Sequence, residues 1–214
     1  MLMEYFRRGG PIMWPLLGTS CVAMSVVLER MVFIIRERRH RQPDLTARVL
    51  AVVEAGEVDE AIRLGHDARD FVVRTLVYGL FYRKRSFSQA LLRAAHQELK
   101  RFNDGLPILD TIITLAPLLG LLGTVTGMIR AFGLVGGAAL EAPAAITGGI
   151  AEALIATAFG LGIAIATVIP FNYLTARLED ARHEIEDAST QVELLLKEPE
   201  QEPETRHADP LAYH

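Results

Sequence analysis

The stretch ITGGIAEALIATAFGLGIAIATVIPFNYL, residues 146–174, decides the fold of this chain. It is long and apolar enough to cross a membrane as a helix, for which about 20 residues suffice. Its only charged side chain is the carboxylate of Glu152, and the hydroxyl of Thr157 follows shortly after it. A carboxyl group inside a span is costly, so it usually faces a partner, a cavity or an ion path. The stretch therefore predicts a membrane protein that moves something charged.

Two further blocks, residues 11–28 and 111–129, contain no charged side chain and approach the length of a span. The sequence thus predicts an all-α membrane protein with three transmembrane helices and long cytoplasmic helical extensions. The expected regions are an external N-terminal interfacial segment (1–13), a first transmembrane helix (14–35), a cytoplasmic helical region (36–104), a second transmembrane helix (105–132), a short external loop (133–145), a third transmembrane helix (146–174), a cytoplasmic amphipathic helix (175–197) and a disordered tail (198–214).

Positive charge is unevenly distributed along the chain. Residues 36–103 contain 14 of the 22 Lys and Arg residues, whereas residues 133–145 contain none. Because cytoplasmic loops carry the excess of Lys and Arg, this bias predicts an N-terminus outside and a C-terminus in the cytoplasm. Arg7 and Arg8 point the other way, but more weakly. The Glu29-Arg30 pair, near the cytoplasmic end of the first span, is expected to extend toward water.

Several classes of function find no support in the residues. A single cysteine excludes an internal disulfide, and the six histidines show no ligand spacing, so neither a metal site nor a cofactor is expected. No Gly-rich phosphate loop and no nucleophile–base arrangement is visible, so we expect neither an enzyme nor a nucleic-acid partner. Without a nucleotide site, any energy must come from an ion gradient.

Small residues form a stripe on each of the last two predicted spans. Packing of helices explains the glycines and alanines, since small residues allow close approach of backbones in a membrane. It does not explain why both stripes carry a threonine that antiparallel packing would place at comparable depth. A lone threonine usually bonds its own helix, but two of them together with Glu152 favour a polar path. The stripes are Ala116, Gly120, Thr124, Gly127 and Ala131, with Gly123 beside them, and Ala153, Thr157, Gly160, Ala164 and Thr167.

Two features leave alternatives open. Glu152 is either part of the path or paired with Arg130, because both lie near the same membrane face. After the third span, apolar residues recur in steps of three and four, which is a heptad pattern typical of a packed helix. Its partner is either another part of this chain or another subunit. The pattern comprises Leu178, Ala181, Ile185, Ala188, Val192 and Leu195.

Both span sequences resemble one known family. LAPLLGLLGTVTGMIRAF (115–132) is similar to the second-span signature of the MotA/TolQ/ExbB proton-channel family, and GGIAEALIATAFGLGIAIATVIPFN (148–172) to its third-span signature. The resemblance covers residues 14–197 and favours the TolQ/ExbB branch. Flagellar-type stator subunits of the MotA branch have four spans, so that alternative fits less well.

The resemblance implies a proton-channel subunit of the bacterial inner membrane. Its complex would convert the proton-motive force into mechanical work on an envelope system, as in outer-membrane transport or envelope integrity. Implied partners are further copies of the chain in a pentamer, a dimer of a single-span ExbD/TolR-like protein with an intramembrane Asp, and a TonB/TolA-like energy transducer. Thr124 and Thr157 match the family's pore-lining threonines, and Glu152 matches its third-span Glu. Arg130 has no such counterpart, which leaves an Arg130–Glu152 outer gate open.

The residues and the resemblance agree on one chemical requirement. Spans two and three contain no inner side chain that could itself carry a proton, so another chain must supply the ionisable group. We expect Thr124 and Thr157 to solvate that partner's carboxyl group in its deprotonated state. The alternatives are a passive membrane scaffold and a small-solute transporter, and the ion could be H⁺ or Na⁺.

Overall fold

The computed structural model describes Phe6, residues 9–135 and residues 142–197, with side chains for Phe6, residues 9–133 and residues 147–196. Over these ranges the chain forms α-helices and no β-strand. The expectations for Arg7 and Arg8, for most of the N-terminal segment, for the centre of the loop 133–145 and for the tail 198–214 lie outside the described residues. The helices are α1 (Met13–His40), α2 (Pro43–Glu54), α3 (Val58–Gly65), α4 (Phe71–Phe81), α5 (Arg83–Asn103), α6 (Leu106–Val135) and α7 (Ala142–Lys197).

Three stretches of helix in the described part of the chain are long and apolar enough to cross a membrane, and each overlaps one of the three predicted spans. The predicted fold class is therefore confirmed. The helix does not end at residue 174, because α7 runs without interruption from Ala142 to Lys197, 56 residues in all. The predicted amphipathic helix 175–197 is thus a direct extension of the third span.

The spans belong to one compact unit, residues 1–39 and 99–181, which we call the membrane unit. Its first helix packs through Met13 and Leu16, which together with Ala116 of α6 are almost fully buried. Elsewhere the membrane unit exposes large apolar side chains such as Leu118, Ile129, Leu154 and Ile165. Apolar surface of this extent is stable in contact with hydrocarbon or other membrane helices rather than with water.

A left-handed glycine joins α5 to α6, and Arg30 packs against it. Gly105 has φ +81°, and a Cβ built there would lie 3.2 Å from Arg30 Cδ. The Arg30 guanidinium donates a hydrogen bond of 3.0 Å to the Arg101 carbonyl, one of the carbonyls that the end of α5 leaves without a helical partner. The expectation that Arg30 extends to water is therefore wrong: its side chain is only 11% exposed, while that of Glu29 is 66% exposed.

An aromatic and basic pair marks the end of the third span. Arg177 Nε donates a hydrogen bond of 3.3 Å to the Tyr173 hydroxyl, and the guanidinium lies 5.3 Å from the ring centroid. The hydrogen bond to Tyr173 is the main cause that raises the pKa of Arg177. Arg177 is therefore a permanent positive charge, and such residues anchor span ends at the membrane–water interface.

The described residues of 40–98 and 182–197 form the other compact unit, which we call the second unit. Its core includes Val49, Val73 and Leu76, which are fully buried. On the heptad face of α7, Ile185 and Val192 are also buried within the chain. The intramolecular alternative for the heptad pattern is therefore the one that the structure supports.

Asp70 is a buried charge of the second unit that is surrounded by hydrogen-bond donors. Its side chain is fully buried, and it accepts hydrogen bonds from Arg41 Nη1 (2.6 Å) and from the backbone N–H groups of Gln42 (2.6 Å) and Val72 (2.9 Å). The last of these caps the N-terminus of α4. Arg41 also pairs with Glu184 of α7. One carboxylate thereby joins the end of α1 to α4, and through Arg41 to α7.

Replacement of Asp70 by Ala should destabilise the protein by about 3 kcal/mol, because it removes the acceptor shared by the buried N–H group of Val72 and the partly buried donors of Arg41 and Gln42. Thermal unfolding of the detergent-purified protein measures the effect. Glu60→Ala is the control, since the Glu60–Arg63 pair is largely exposed and its loss should cost less than about 1 kcal/mol. Equal destabilisation by the two changes would contradict this assignment.

Candidate functional site

The two small-residue stripes pack against each other, and we call their contact the glycine seam. A Cβ built at Gly127 would lie 3.1 Å from Ala153 Cβ, and one built at Gly120 would lie 3.0 Å from Thr157 Cα. Residue numbers rise along α6 as they fall along α7, so the two helices are antiparallel. The seam comprises Ala116, Gly120, Gly123, Gly127 and Ala131 of α6 and Gly149, Ala153, Ala156, Thr157 and Gly160 of α7.

Glycine is required where the seam brings backbone against backbone. A Cβ built at Gly160 would lie 3.1 Å from Gly120 Cα and 3.2 Å from Gly120 N. Backbone atoms of a packed helix have little freedom to move aside, unlike the end of a flexible side chain. The predicted close-packing role of Gly120 and Gly160 thus has a direct geometric cause. Ala164, one turn further along α7, is also buried.

Two members of the seam were absent from the stripes read from the sequence. A Cβ built at Gly149 would lie 2.6 Å from Ala131 Cβ, and Ala156 is fully buried against Gly123. Gly149, Ala153, Ala156 and Gly160 follow each other in steps of four, three and four. These steps are visible in the sequence. A stripe that runs from Ala153 to Gly160 through Thr157, however, passes beside Ala156 and omits it.

Thr157 bonds across the seam rather than within its own helix. Its hydroxyl donates a hydrogen bond of 3.0 Å to the carbonyl of Gly120 on α6. This differs from the usual behaviour of threonine in a membrane helix, which Thr167 does show, since it bonds Ile163 O of its own helix at 2.7 Å. The close approach at Gly120 makes the carbonyl accessible, so the position of Thr157 depends on the seam.

Thr124 lies at the margin of the seam. Its hydroxyl donates a hydrogen bond of 2.6 Å to the carbonyl of Leu121 in its own helix. Thr157 faces Gly120, four residues before Thr124, which corresponds to about 6 Å along a helix. The two hydroxyls therefore lie within about one helical turn of each other in depth.

The hydrogen bonds of the two threonines restrict what they offer to another group. In this arrangement both hydroxyl protons are directed at backbone carbonyls, so the hydroxyl oxygens are left as acceptors. An acceptor suits a protonated carboxylic acid or a hydrated proton. Solvation of a carboxylate, as expected from the sequence, requires each hydroxyl to rotate away from its carbonyl first.

Arg130 and Glu152 form an ion pair where α6 ends and α7 begins. Arg130 Nη2 lies 2.9 Å from Glu152 Oε1, and the side chains are 47% and 23% exposed. The pair suggested by the sequence is thus present in the structure. Glu152 also packs against the backbone at Gly10, where a Cβ would lie 2.6 Å from Glu152 Cδ. Gly10 was not singled out in the sequence, since nothing in its local pattern indicates this contact.

The chemistry available at this site is limited to hydroxyls, backbone carbonyls and one ion pair. Over the described residues, no group of three or more His, Cys, Asp or Glu side chains is arranged to hold a metal ion. The charged groups of α6 and α7 nearest the threonines are Arg130 and Glu152, at one end of the seam. Between that end and the far ends of the spans the seam is lined by small apolar residues and threonines.

Comparisons with known proteins relate this chain to one family. Residues 77–187 match the model of the MotA/TolQ/ExbB proton channel family. The chain is 37% identical to a Synechocystis sp. protein named biopolymer transport protein ExbB-like 1, over 94% of this chain and 82% of the relative. It is 33% identical to an ExbB homolog of Methanothermobacter thermautotrophicus, over 86% of this chain and 67% of the relative. It is also 39% identical to the Tol-Pal system protein TolQ of Haemophilus influenzae, over 42% of this chain and 40% of the relative.

The glycine seam predicts opposite outcomes for two glycines of α7. Gly160→Ala should destabilise the purified protein by about 1–3 kcal/mol, because the methyl group meets the Gly120 backbone. Gly162→Ala should be neutral or slightly stabilising, since its Cβ would meet nothing within 4 Å and alanine favours a helix. Thermal unfolding in detergent measures both, and similar effects of the two changes would refute the seam.

Proposed function

The chain belongs to the MotA/TolQ/ExbB proton channel family and has an ExbB/TolQ-like energising role, and we propose that it acts as the channel subunit of a motor complex driven by the proton-motive force. The observation that carries the proposal is the pair of threonines at the glycine seam. Thr157 bonds the Gly120 carbonyl across two apolar spans, and Thr124 lies within about a turn of it. The work performed would be outer-membrane transport or maintenance of the envelope.

We place this inner-membrane protein with its N-terminus outside and its C-terminus in the cytoplasm. The distribution of Lys and Arg supports this orientation, because residues 36–103 contain most of them. Arg177, permanently charged at the end of the third span, agrees with it. The Arg130–Glu152 pair would then lie at the outer mouth of the path.

The proposal requires a partner that supplies the proton-carrying group. Residues 111–129 of α6 and 153–176 of α7 contain no charged side chain. A carboxyl group from a single-span ExbD/TolR-like partner, held as a dimer inside a pentamer of this chain, would fill that need. A TonB/TolA-like transducer would carry the work onward. Each proton that crosses about 100 mV releases about 2.3 kcal/mol, which is enough to bias a conformational step.

The two hydroxyls would serve the partner's carboxyl group in both of its states. When the carboxyl is protonated, the free lone pairs of Thr124 and Thr157 accept its hydrogen bond. When it is deprotonated, rotation of each hydroxyl away from its backbone carbonyl supplies a donor to the carboxylate. In the resting position each hydroxyl is held by a backbone carbonyl. Only the hydroxyls would rotate when the carboxyl group changes its protonation state, and the helices would not have to move.

The Arg130–Glu152 pair would set the electrostatic barrier at the mouth of the path. A lone guanidinium repels protons and other cations, whereas a lone carboxylate attracts them. Paired at 2.9 Å, the two charges largely compensate each other. The rate of proton entry would therefore lie between the rates expected for a lone guanidinium and for a lone carboxylate. Loss of Glu152 should lower this rate, and loss of Arg130 should raise it.

Replacement of both Thr124 and Thr157 by Val should lower proton entry into vesicles that carry the chain with its partner by roughly 10- to 100-fold, since hydrogen bonds to a charged group are worth about 1.5–3 kcal/mol. The amount of assembled complex should stay unchanged. A pH-sensitive dye inside the vesicles measures the entry after a membrane potential is imposed.

The matched control is the double change of both threonines to Ser, which keeps the hydroxyls and should retain most of the proton entry. If the Val variant transports as well as the unmodified protein, the threonines do not line the path. A passive scaffold would show no voltage-driven proton entry in any variant. Replacement of H⁺ by Na⁺ in the same assay tests the identity of the ion.

Opposite changes at the ion pair should have opposite effects. Glu152→Gln leaves the Arg130 charge uncompensated and should lower proton entry by roughly 2- to 5-fold, as the partly exposed pair is worth up to about 1 kcal/mol. Arg130→Met leaves the carboxylate uncompensated and should raise proton entry by a similar factor. The same vesicle assay distinguishes them, and a shift in the same direction for both would exclude an electrostatic gate.

A further inference from the structure

The segment before α1 is attached to both helices of the glycine seam. A Cβ built at Gly9 would lie 3.2 Å from Ile155 Cγ2 of α7. Ile12 lies against α6, where a Cβ built at Gly123 would be 3.1 Å from its Cγ2. The backbone of Gly10 accepts a hydrogen bond of 3.2 Å from Met13 N. Residues 9–12 are thus held at the end of the seam where Arg130 and Glu152 pair.

Gly10 faces the carboxylate of that pair directly. It has φ +72°, and the atoms nearest to a Cβ built there are all from Glu152, with Cδ at 2.6 Å and Cγ at 3.1 Å. The nearest of them is Oε1, the same oxygen that contacts Arg130. The space that a methyl group would fill is therefore the space in which this oxygen meets the guanidinium.

We propose that Gly10 is a positioning residue for the outer ion pair: its missing side chain leaves room for Glu152 to reach Arg130, so that the N-terminal segment sets the barrier to proton entry. The inference rests on the proposed role of this pair. An alanine at position 10 would displace the end of the Glu152 side chain, which is flexible, rather than the backbone of α7. The carboxylate would leave Arg130, and the guanidinium would remain uncompensated.

The decisive comparison is between Gly10→Ala and Gly56→Ala. Both glycines have positive φ, at +72° and +81°, but a Cβ at Gly56 would meet nothing within 4 Å. The two variants therefore share the backbone strain and differ in the contact with Glu152. Gly10→Ala should lower voltage-driven proton entry by roughly 2- to 5-fold, as Glu152→Gln does, whereas Gly56→Ala should leave it unchanged. Equal activity of the two variants overturns the proposal.

The effect of Gly10→Ala should depend on Arg130. In an Arg130→Met background there is no ion pair left to break, so the further change Gly10→Ala should not alter proton entry. A purely structural defect would instead lower it by the same factor in both backgrounds, and that result also overturns the proposal. All rates are compared at equal amounts of assembled complex.

A size exchange tests the contact without any transport assay. Glu152→Ala removes the side chain that occupies the space beside Gly10. If Gly10→Ala yields less folded protein than Gly56→Ala does, the double variant Gly10→Ala/Glu152→Ala should recover that difference. Size-exclusion chromatography of the detergent-extracted protein measures the recovery. A loss of that kind without recovery contradicts the contact. Because this result needs no proton flux, failure of the inference remains distinct from failure of the proposed channel.

Discussion

Contact between the backbones of α6 and α7 is the constraint on which the rest of the membrane unit depends. Gly120 and Gly160 allow the two helices to approach until the main chain of one touches the main chain of the other. In hydrocarbon there is no hydrophobic force to hold helices together, so close packing and hydrogen bonds between helices must do so. The same approach exposes the Gly120 carbonyl to the Thr157 hydroxyl. Packing and the polar character of the path therefore have one origin.

Along the described residues of α6 and α7, charged side chains lie only toward or beyond the ends of this apolar contact, and the buried side chains of Arg30 and Asp70 have specific hydrogen-bond partners. Arg130 and Glu152 pair at one end, and Arg30 bonds the last turn of α5 at the junction with α6. In the second unit Asp70 binds Arg41 and two backbone N–H groups. An unpaired buried charge costs several kcal/mol, so these contacts fix the positions of the helix ends.

The proposed path would not operate alone. Threonine hydroxyls can orient and stabilise a proton-bearing group, but their own protons are not released at any working pH. In the proposed mechanism the energising role would therefore depend on the chemistry of another chain, while this chain would provide the surroundings in which that chemistry is reversible. The Arg130–Glu152 pair would add a charge barrier at the mouth of the path, and each subunit of an assembly would repeat it.

The sequence by itself determined the number of spans and most of the small-residue faces, and it pointed to Thr124, Thr157, Glu152 and Arg130 as candidate residues, because hydrophobic length and helical spacing are local properties. It also suggested the Arg130–Glu152 pair, since both residues lie near the same end of their spans. Only the tertiary structure decided that Thr157 bonds across the seam, that Arg30 is buried, and that Gly10 faces Glu152. Each of these depends on which atoms of distant residues meet, and that is set by the rotation and register of packed helices rather than by any pattern along the chain.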